Sequence, residues 1–387
     1  MNCRALLKLN ISLIGLLSMT ACTSLGFFQS TAPKPHFAYV ANYADNNISA
    51  YRIDAATGAL TPVAGSPFAV KNPLAMTINP SGTFAYVASY EWDTPNNGSV
   101  SAYRIDAATG ALFPVASKKS RAGAAPESVA INPAGTFAYV TNTGNNNISA
   151  YRINAMTGEP TPVPGSPFDT GEPTIIMGNP FATGADPSAI AINPAGTFVY
   201  VVNRGTNSIS AYHVNAATGA LTLIAGSPFH TGLLPTSITV NPAGTFAYVS
   251  NCNDSNVAAY RIDAATGALT PTKGSPFHIG NCPTSVTVSP AGTFVYVATQ
   301  TSDTVSAYSI NAATGALTPV PGSPFAAGSY PASVTVSPAG TFAYVSNHFG
   351  KSISAYRINS TTGALTPVPG SPFAAGTIPG PVMIAQP

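Results

Sequence analysis

The chain has 387 residues, of which only 7% are charged, and 15 Lys plus Arg against 13 Asp plus Glu leave it close to neutral. Ordinary soluble domains carry about 25% charged residues, and a charge this sparse and balanced excludes a nucleic-acid-binding face or a polybasic membrane patch. Gly and Pro number 34 and 36, yet they recur at fixed offsets beside Phe, Tyr, Val and Ile, so they punctuate strands and do not signal disorder.

The first element is an address label. Arg4 and Lys8 precede a mostly apolar run over residues 9–19, which closes on Thr20-Ala21-Cys22. A basic start, an apolar stretch too short to span a bilayer and a small-residue ending predict a secretory signal over residues 1–21. Ala21-Cys22 resembles a bacterial lipobox, with Met19 where Leu is usual, so Cys22 is the expected lipidation site; ordinary signal cleavage is the alternative. Residues 22–35 then read as the lipidated N-terminus and tether. Loss of residues 1–21 removes two bases and no acid, leaving 13 of each. The expectation is an exported protein of the cell envelope, in the periplasm or on the outer surface, touching a membrane only through its lipid.

From residue 36 to 387 the sequence repeats. FAYVAN at Phe37 returns in variant form at Phe84, Phe137, Phe198, Phe246, Phe294 and Phe342, with successive steps of 47, 53, 61, 48, 48 and 48 residues. Length alone points to two or three domains; seven similar units make one architecture. Each unit holds four short runs rich in Val, Ile, Tyr, Phe and Thr. They are separated by a Pro-x-Gly turn, an Asn-rich hairpin and an Asn/Asp-x-x-Thr-Gly turn. This predicts an all-β, seven-bladed propeller of four-stranded antiparallel blades. The chain enters at a second strand, and the C-terminal PVMIAQ aligns with the inner strands. Pairing of Val382 to Ala385 beside Phe37 to Ala41 is therefore expected to close the ring. Arg52, Arg104, Arg152, Arg261 and Arg357 share one register in the third strand, and Asp54, Asp106 and Asp263 follow two residues later on the same face. A local pair and turn cap is expected there.

Tyr139-Val140-Thr141-Asn142 spells YVTN, and residues 37–386 resemble the YVTN β-propeller repeats. The same blades resemble the seven-bladed lactonase-like family, which includes 6-phosphogluconolactonases and muconate-lactonizing enzymes. Asn203-Arg204-Gly205-Thr206-Asn207-Ser208-Ile209 is similar to a segment of that family, and the resemblance carries over Arg204 alone. The family's Pro-His-Ser strand opening, its Gly-Pro-Arg-His stretch and its Asn-Glu after a second strand are all missing. Glu127 stands where the His would be. Ring opening needs a general base and a donor for the oxyanion, so Glu127 and Arg204 are the catalytic candidates. They belong to adjacent blades at different radii, and joint action requires Arg204 to reach inward over the channel mouth.

Comparing repeats within the chain locates the individuality. The residue after the motif Asn is Tyr43, Tyr90, Thr143, Arg204, Cys252, Gln300 and His348 in turn. The residue before the strand-opening Pro is Asn72, Ala125, Asp186, Leu234, Cys282, Tyr330 and Ile378. Both sets, and the insertions around Glu91 to Gly98 and Asp169 to Asp186, fall on one face, where loops on a rigid scaffold carry function. Tyr90, Glu91, Trp92, Asp93 and His348 are the ligand-binding candidates there, with His230 and His278 in equivalent turns of neighbouring blades. The two histidines lack ligand spacing, so no metal site is expected, and no cofactor motif occurs. Cys252 and Cys282 sit at the variable positions of one face in an exported chain and are expected to be bonded, with a loop-closure contribution of about 3 kcal/mol. A monomeric binding or surface-interaction protein with a sugar, peptide or envelope-protein ligand is the first expectation. A lactonase-type hydrolase is the alternative, without the cation cluster that a phosphosugar needs.

Overall fold

A computed structural model describes residues 35–90, 98–115, 119–166 and 184–387. The proposed signal and tether, the lipidation site Cys22, the loop residues Glu91, Trp92 and Asp93 and most of the second insertion lie outside the described residues. The rest forms seven antiparallel sheets that follow one another around a ring. In each sheet an inner strand pairs with the YV-motif strand, which pairs with a third strand and then with a three-residue outer strand. The closing blade joins the chain's two ends. Pro379–Ala385 lies antiparallel to His36–Asn42 with Ala385 opposite Phe37 and Val382 opposite Val40. The expected closure is present.

The YV-motif strands are the core. Phe137–Asn142 is buried at all six positions, because its two faces meet the blades before and behind it. Blades also carry a feature the repeat pattern conceals. Phe68–Ala69 doubles back to pair with Asn47 and Ile48 at the start of the third strand, whose remaining edge is covered by Leu60–Pro62. Six of the seven sheets have such a fifth strand among the described residues. A two- or three-residue strand shows no period of two, which is why four-stranded blades were expected.

Blade-to-blade adhesion is built from two motif residues and one turn. The Tyr139 hydroxyl donates to the Gly219 carbonyl of the next blade at 2.9 Å. Tyr39, Tyr86, Tyr200, Tyr248, Tyr296 and Tyr344 make the same bond to Gly110, Gly158, Gly267, Gly315, Gly363 and Gly58. The last of these returns from the seventh blade to the first. The receiving glycine has no freedom to be anything else: Gly219 has φ +78°, and a Cβ there would sit 2.3 Å from the Phe137 ring. Phe-x-Tyr in one blade thus grips Thr-Gly in the next.

The Arg-x-Asp register divides its labour. Asp54, Asp106 and Asp263 cap their own turns, with Asp54 Oδ1 accepting from the backbone N–H of Ala56 and Thr57 and from the Thr57 hydroxyl. Asp106, held below its usual range by its bonds to Thr109 and then by the Arg104 charge, keeps the local relation expected, and Arg104 lies over the Phe113 ring of its own blade. Arg152, Arg261 and Arg357 lie over the rings of Phe137, Phe246 and Phe342 and donate to the carbonyls of Ala217, Ala313 and Ala56 in the following blade. A planar guanidinium can stack and donate at once, so these three arginines staple blades together.

Candidate functional site

The two variable positions of each blade face one another through a backbone bond. Arg204 N–H donates to the Asp186 carbonyl, and the same bond joins Thr143 to Ala125, Cys252 to Leu234, Gln300 to Cys282 and His348 to Tyr330. All seven residues before the strand-opening Pro are left-handed, with φ between 45° and 62°. Non-glycine residues seldom adopt this conformation. The chain accepts it seven times because it turns the backbone from the outer edge of one blade into the inner strand of the next. The turn is held by its main chain and, at Asn72, Asp186, Leu234 and Tyr330, by an Asn or Asp side chain of the preceding blade that accepts from its N–H, so the turn residue's own side chain is free to vary.

In the third and fourth blades those side chains converge. Glu127 is the second residue of an inner strand (Pro126–Ile131), and Arg204 follows the YV-motif strand Phe198–Asn203 of the next blade. The guanidinium does reach inward: its Nη1 and Nη2 donate to Glu127 Oε1 and Oε2 at 2.7 and 2.6 Å. Its other edge is bidentate to Asp186, with Nε and Nη2 3.1 and 3.0 Å from the two carboxylate oxygens. Four of its five N–H groups are thereby engaged. Thr143 Oγ1 lies 2.8 Å from Glu127 Oε2 and 2.9 Å from the Pro187 carbonyl, so the hydroxyl steadies the carboxylate or the neighbouring strand.

The electrostatics follow from this packing. Burial pushes the Glu127 carboxyl above its usual range, against the downward pull of Arg204 and the Thr143 hydroxyl. Burial alone would lower Arg204, but the bonds and charges of Asp186 and Glu127 outweigh it and raise its pKa further, so it is always cationic. The three side chains keep 27–38% exposure. They are a wet cluster at the edge of an opening.

That opening is a cavity of about 510 Å³ in which Glu127, Asp186 and Arg204 share the wall with Thr236, Gln300 and His348. Arg204 is the only Lys or Arg in this lining among the described residues. His348 is partly buried, which lowers its pKa below 6.5 against the opposing effect of a bond to the Pro379 carbonyl; it is a neutral imidazole near pH 7. The wall also includes Cys252 and Cys282, which are disulfide-bonded as expected and tie the fifth blade's hairpin to the start of the sixth.

Other candidates stand apart. His230 and His278 are exposed, on the short fifth strands of the fourth and fifth blades, and do not line the cavity. Tyr90 ends its strand half-buried, also outside this lining. No three His, Cys, Asp or Glu side chains gather as a metal site among the described residues. Asp186 is the residue that sequence reasoning passed over. Its signal was present, since it is the variable partner of Arg204 in the same blade, but only the turn geometry shows the two side chains meeting.

Comparison with known proteins bears on this arrangement. A family model described as lactonase, 7-bladed beta-propeller, matches residues 30–121, 96–279, 277–326 and 319–379. No curated protein matches the sequence. Among solved structures, a periplasmic gluconolactonase from Pseudomonas aeruginosa superposes with a TM-score of 0.77 at 17% identity, over 91% of this chain and 99% of that one. A Bacteroides fragilis protein assigned as a candidate 6-phosphogluconolactonase gives 0.76 at 20% identity, over 92% and 99%. A protein from Lactobacillus plantarum gives 0.73 at 20%, over 91% and 100%. At these identities the structures share the fold.

Proposed function

Because the chain belongs to the lactonase family of seven-bladed β-propellers, we propose that its cavity binds an uncharged sugar lactone and opens the ring with water. The observation that carries this is the meeting of Glu127, Arg204 and Asp186 in one cavity with a neutral histidine, His348. It favours catalysis over the order in which the sequence ranked the two, since Arg204 makes the inward reach that joint action with Glu127 requires.

His348, unprotonated near neutral pH, accepts a proton from water as it attacks the lactone carbonyl carbon. The N–H of Arg204 that Glu127 and Asp186 leave free faces the developing oxyanion. Collapse of the tetrahedral intermediate breaks the ring C–O bond, and the leaving alkoxide takes the proton from His348, giving the hydroxy acid. Glu127 and Asp186 position the guanidinium. Two carboxylates around one cation disfavour a phosphorylated substrate, so gluconolactone is preferred to 6-phosphogluconolactone. The reading keeps the exported, lipid-anchored location proposed for the N-terminus.

The test is hydrolysis of glucono-δ-lactone by purified protein in a pH-stat, above the spontaneous rate. Arg204→Ala and His348→Gln should each lower kcat/KM by about 10²–10⁴. Activity that survives both substitutions would overturn the assignment. A second reading, binding without turnover, is favoured by the four engaged N–H groups of Arg204, which leave it few donors for a substrate. Lactone binding seen by saturation-transfer NMR with no hydrolysis would select it.

A further inference from the structure

We propose that Tyr330 and Phe349 form a stacking platform at the cavity rim for a second sugar ring, so that the preferred ligand is a glycosyl-aldonolactone rather than a single sugar unit. This rests on the lactone reading above and extends it outward from His348. Three aromatic rings run in a row. The Tyr330 ring stacks on Phe349 with centroids 4.2 Å apart and 29° between planes, and lies 6.1 Å and 28° from the His348 ring. His348 lines the cavity. The row therefore leads from inside the site to the open surface.

The scaffold requires an aromatic at neither position. Phe349 is 68% exposed, an unfavourable place for a phenyl ring in water. In the other blades the same position holds Ala44, Gly144, Gly205, Asn253 and Thr301, or lies outside the described residues, so the turn itself makes no demand for an aromatic. Tyr330 occupies the left-handed turn position with φ 62°, which Asn72, Asp186, Leu234 and Ile378 also fill in other blades, so the turn does not call for an aromatic. A bulky ring is tolerated there because the backbone is pinned, with Tyr330 N–H donating to Asp303 Oδ1 at 2.7 Å. Tyr330 backs Phe349 from the His348 side, and the exposed Phe349 ring is the aromatic surface the row presents.

The chemistry of that surface selects the occupant. Aromatic faces carry negative quadrupole charge and attract polarised C–H groups. A pyranose offers one face of axial C–H bonds and a rim of hydroxyls, which fits an aromatic ledge beside a polar cavity. Two rings are far too small for a stable protein partner, which needs about 1,000 Å² or more of contact. A nucleotide's phosphate would meet the carboxylates of Glu127 and Asp186.

The experiment compares cellobionolactone with glucono-δ-lactone. Wild-type protein should prefer the disaccharide lactone in kcat/KM. Phe349→Ala should cut that value about ten-fold, the equivalent of one stacking contact, while hydrolysis of gluconolactone stays within about two-fold. Phe349→Trp should retain the preference, and Tyr330→Asn, which suits the left-handed turn, should lose it. Equal losses on both substrates, or no wild-type preference, would overturn the platform. If no lactone is hydrolysed, the catalytic reading fails and the platform is judged alone by saturation-transfer NMR with cellobiose. Transfer to the pyranose C–H protons that Phe349→Ala abolishes supports it, and absence of transfer sinks it.

Discussion

Arg204 holds two carboxylates at once, and removing it leaves both without a cation. Arg204→Ala should cost about 1–3 kcal/mol, below the figure for a fully buried triad because each side chain keeps contact with water. Chemical denaturation would measure it, and Asp186→Asn should cost less because an amide still accepts from the guanidinium. His348 gives a pH signature. Its pKa is depressed below 6.5 by burial, so the unfolded chain binds more protons than the folded one between the two values. The stability it supplies is present above pH 6.5 and lost as pH falls through the folded value. Denaturation midpoints followed downward from pH 7 should fall further in wild-type protein than in His348→Gln. The acid limb of kcat/KM should likewise lie below 6.5. Glu127 and Arg204 were legible in the sequence because Glu127 stands where the lactonase-like family has a His and Arg204 falls in the family-like segment Asn203 to Ile209. Their contact was not, since it depends on how far a side chain in one blade leans toward the inner strand of another.

Elements in this protein are joined by a reciprocal fit, and the glycine is its stricter half. Gly219→Ala forces a left-handed alanine and drives its methyl into Phe137, which should destabilise by roughly 2–4 kcal/mol. Tyr139→Phe leaves the Gly219 carbonyl buried without its donor, at a cost of about 1–2 kcal/mol. Thermal unfolding of both single variants and the double variant would show whether the losses combine as one contact, with the double falling short of the sum. The strand pattern, the turns and the number of blades were all readable because Phe, Tyr and Gly recur at fixed spacing. The short fifth strand was not, since two residues carry no period. Nor was the direction of the Arg staples, because i and i+2 share a face whether the partner is local or in the next blade.

For the whole molecule, the seam in the first blade governs stability. Deleting residues 379–387 strips the inner strand from Phe37–Val40 and exposes an edge that is otherwise paired along its length. The truncated protein should lose its cooperative thermal transition and elute as aggregate in size-exclusion chromatography; a monomeric peak with an unchanged midpoint would contradict this. The Cys252–Cys282 bond is a second, local clamp. Cys282→Ser should cost about 3 kcal/mol on the loop-entropy account, with denaturation in reducing buffer giving the same midpoint for both proteins. Seven blades and their closure could be counted from repeats alone. The cavity needed the three-dimensional ring, because its wall collects residues from three repeat positions across several blades.

That seam also sets a schedule. Asn42 and its partner Pro379 are separated by nearly the whole chain. A ribosome adding about 5–20 residues per second needs roughly twenty seconds to a minute to supply the missing strand. Throughout that interval the first YV-motif strand, apolar on both faces, waits with one edge bare. Later blades can assemble in order of synthesis, but the ring cannot lock until its last residues are made. The yield of residues 22–387 made in a foreign host without the export signal should therefore respond to translation speed and holdase supply more than to substitutions that stabilise the finished fold.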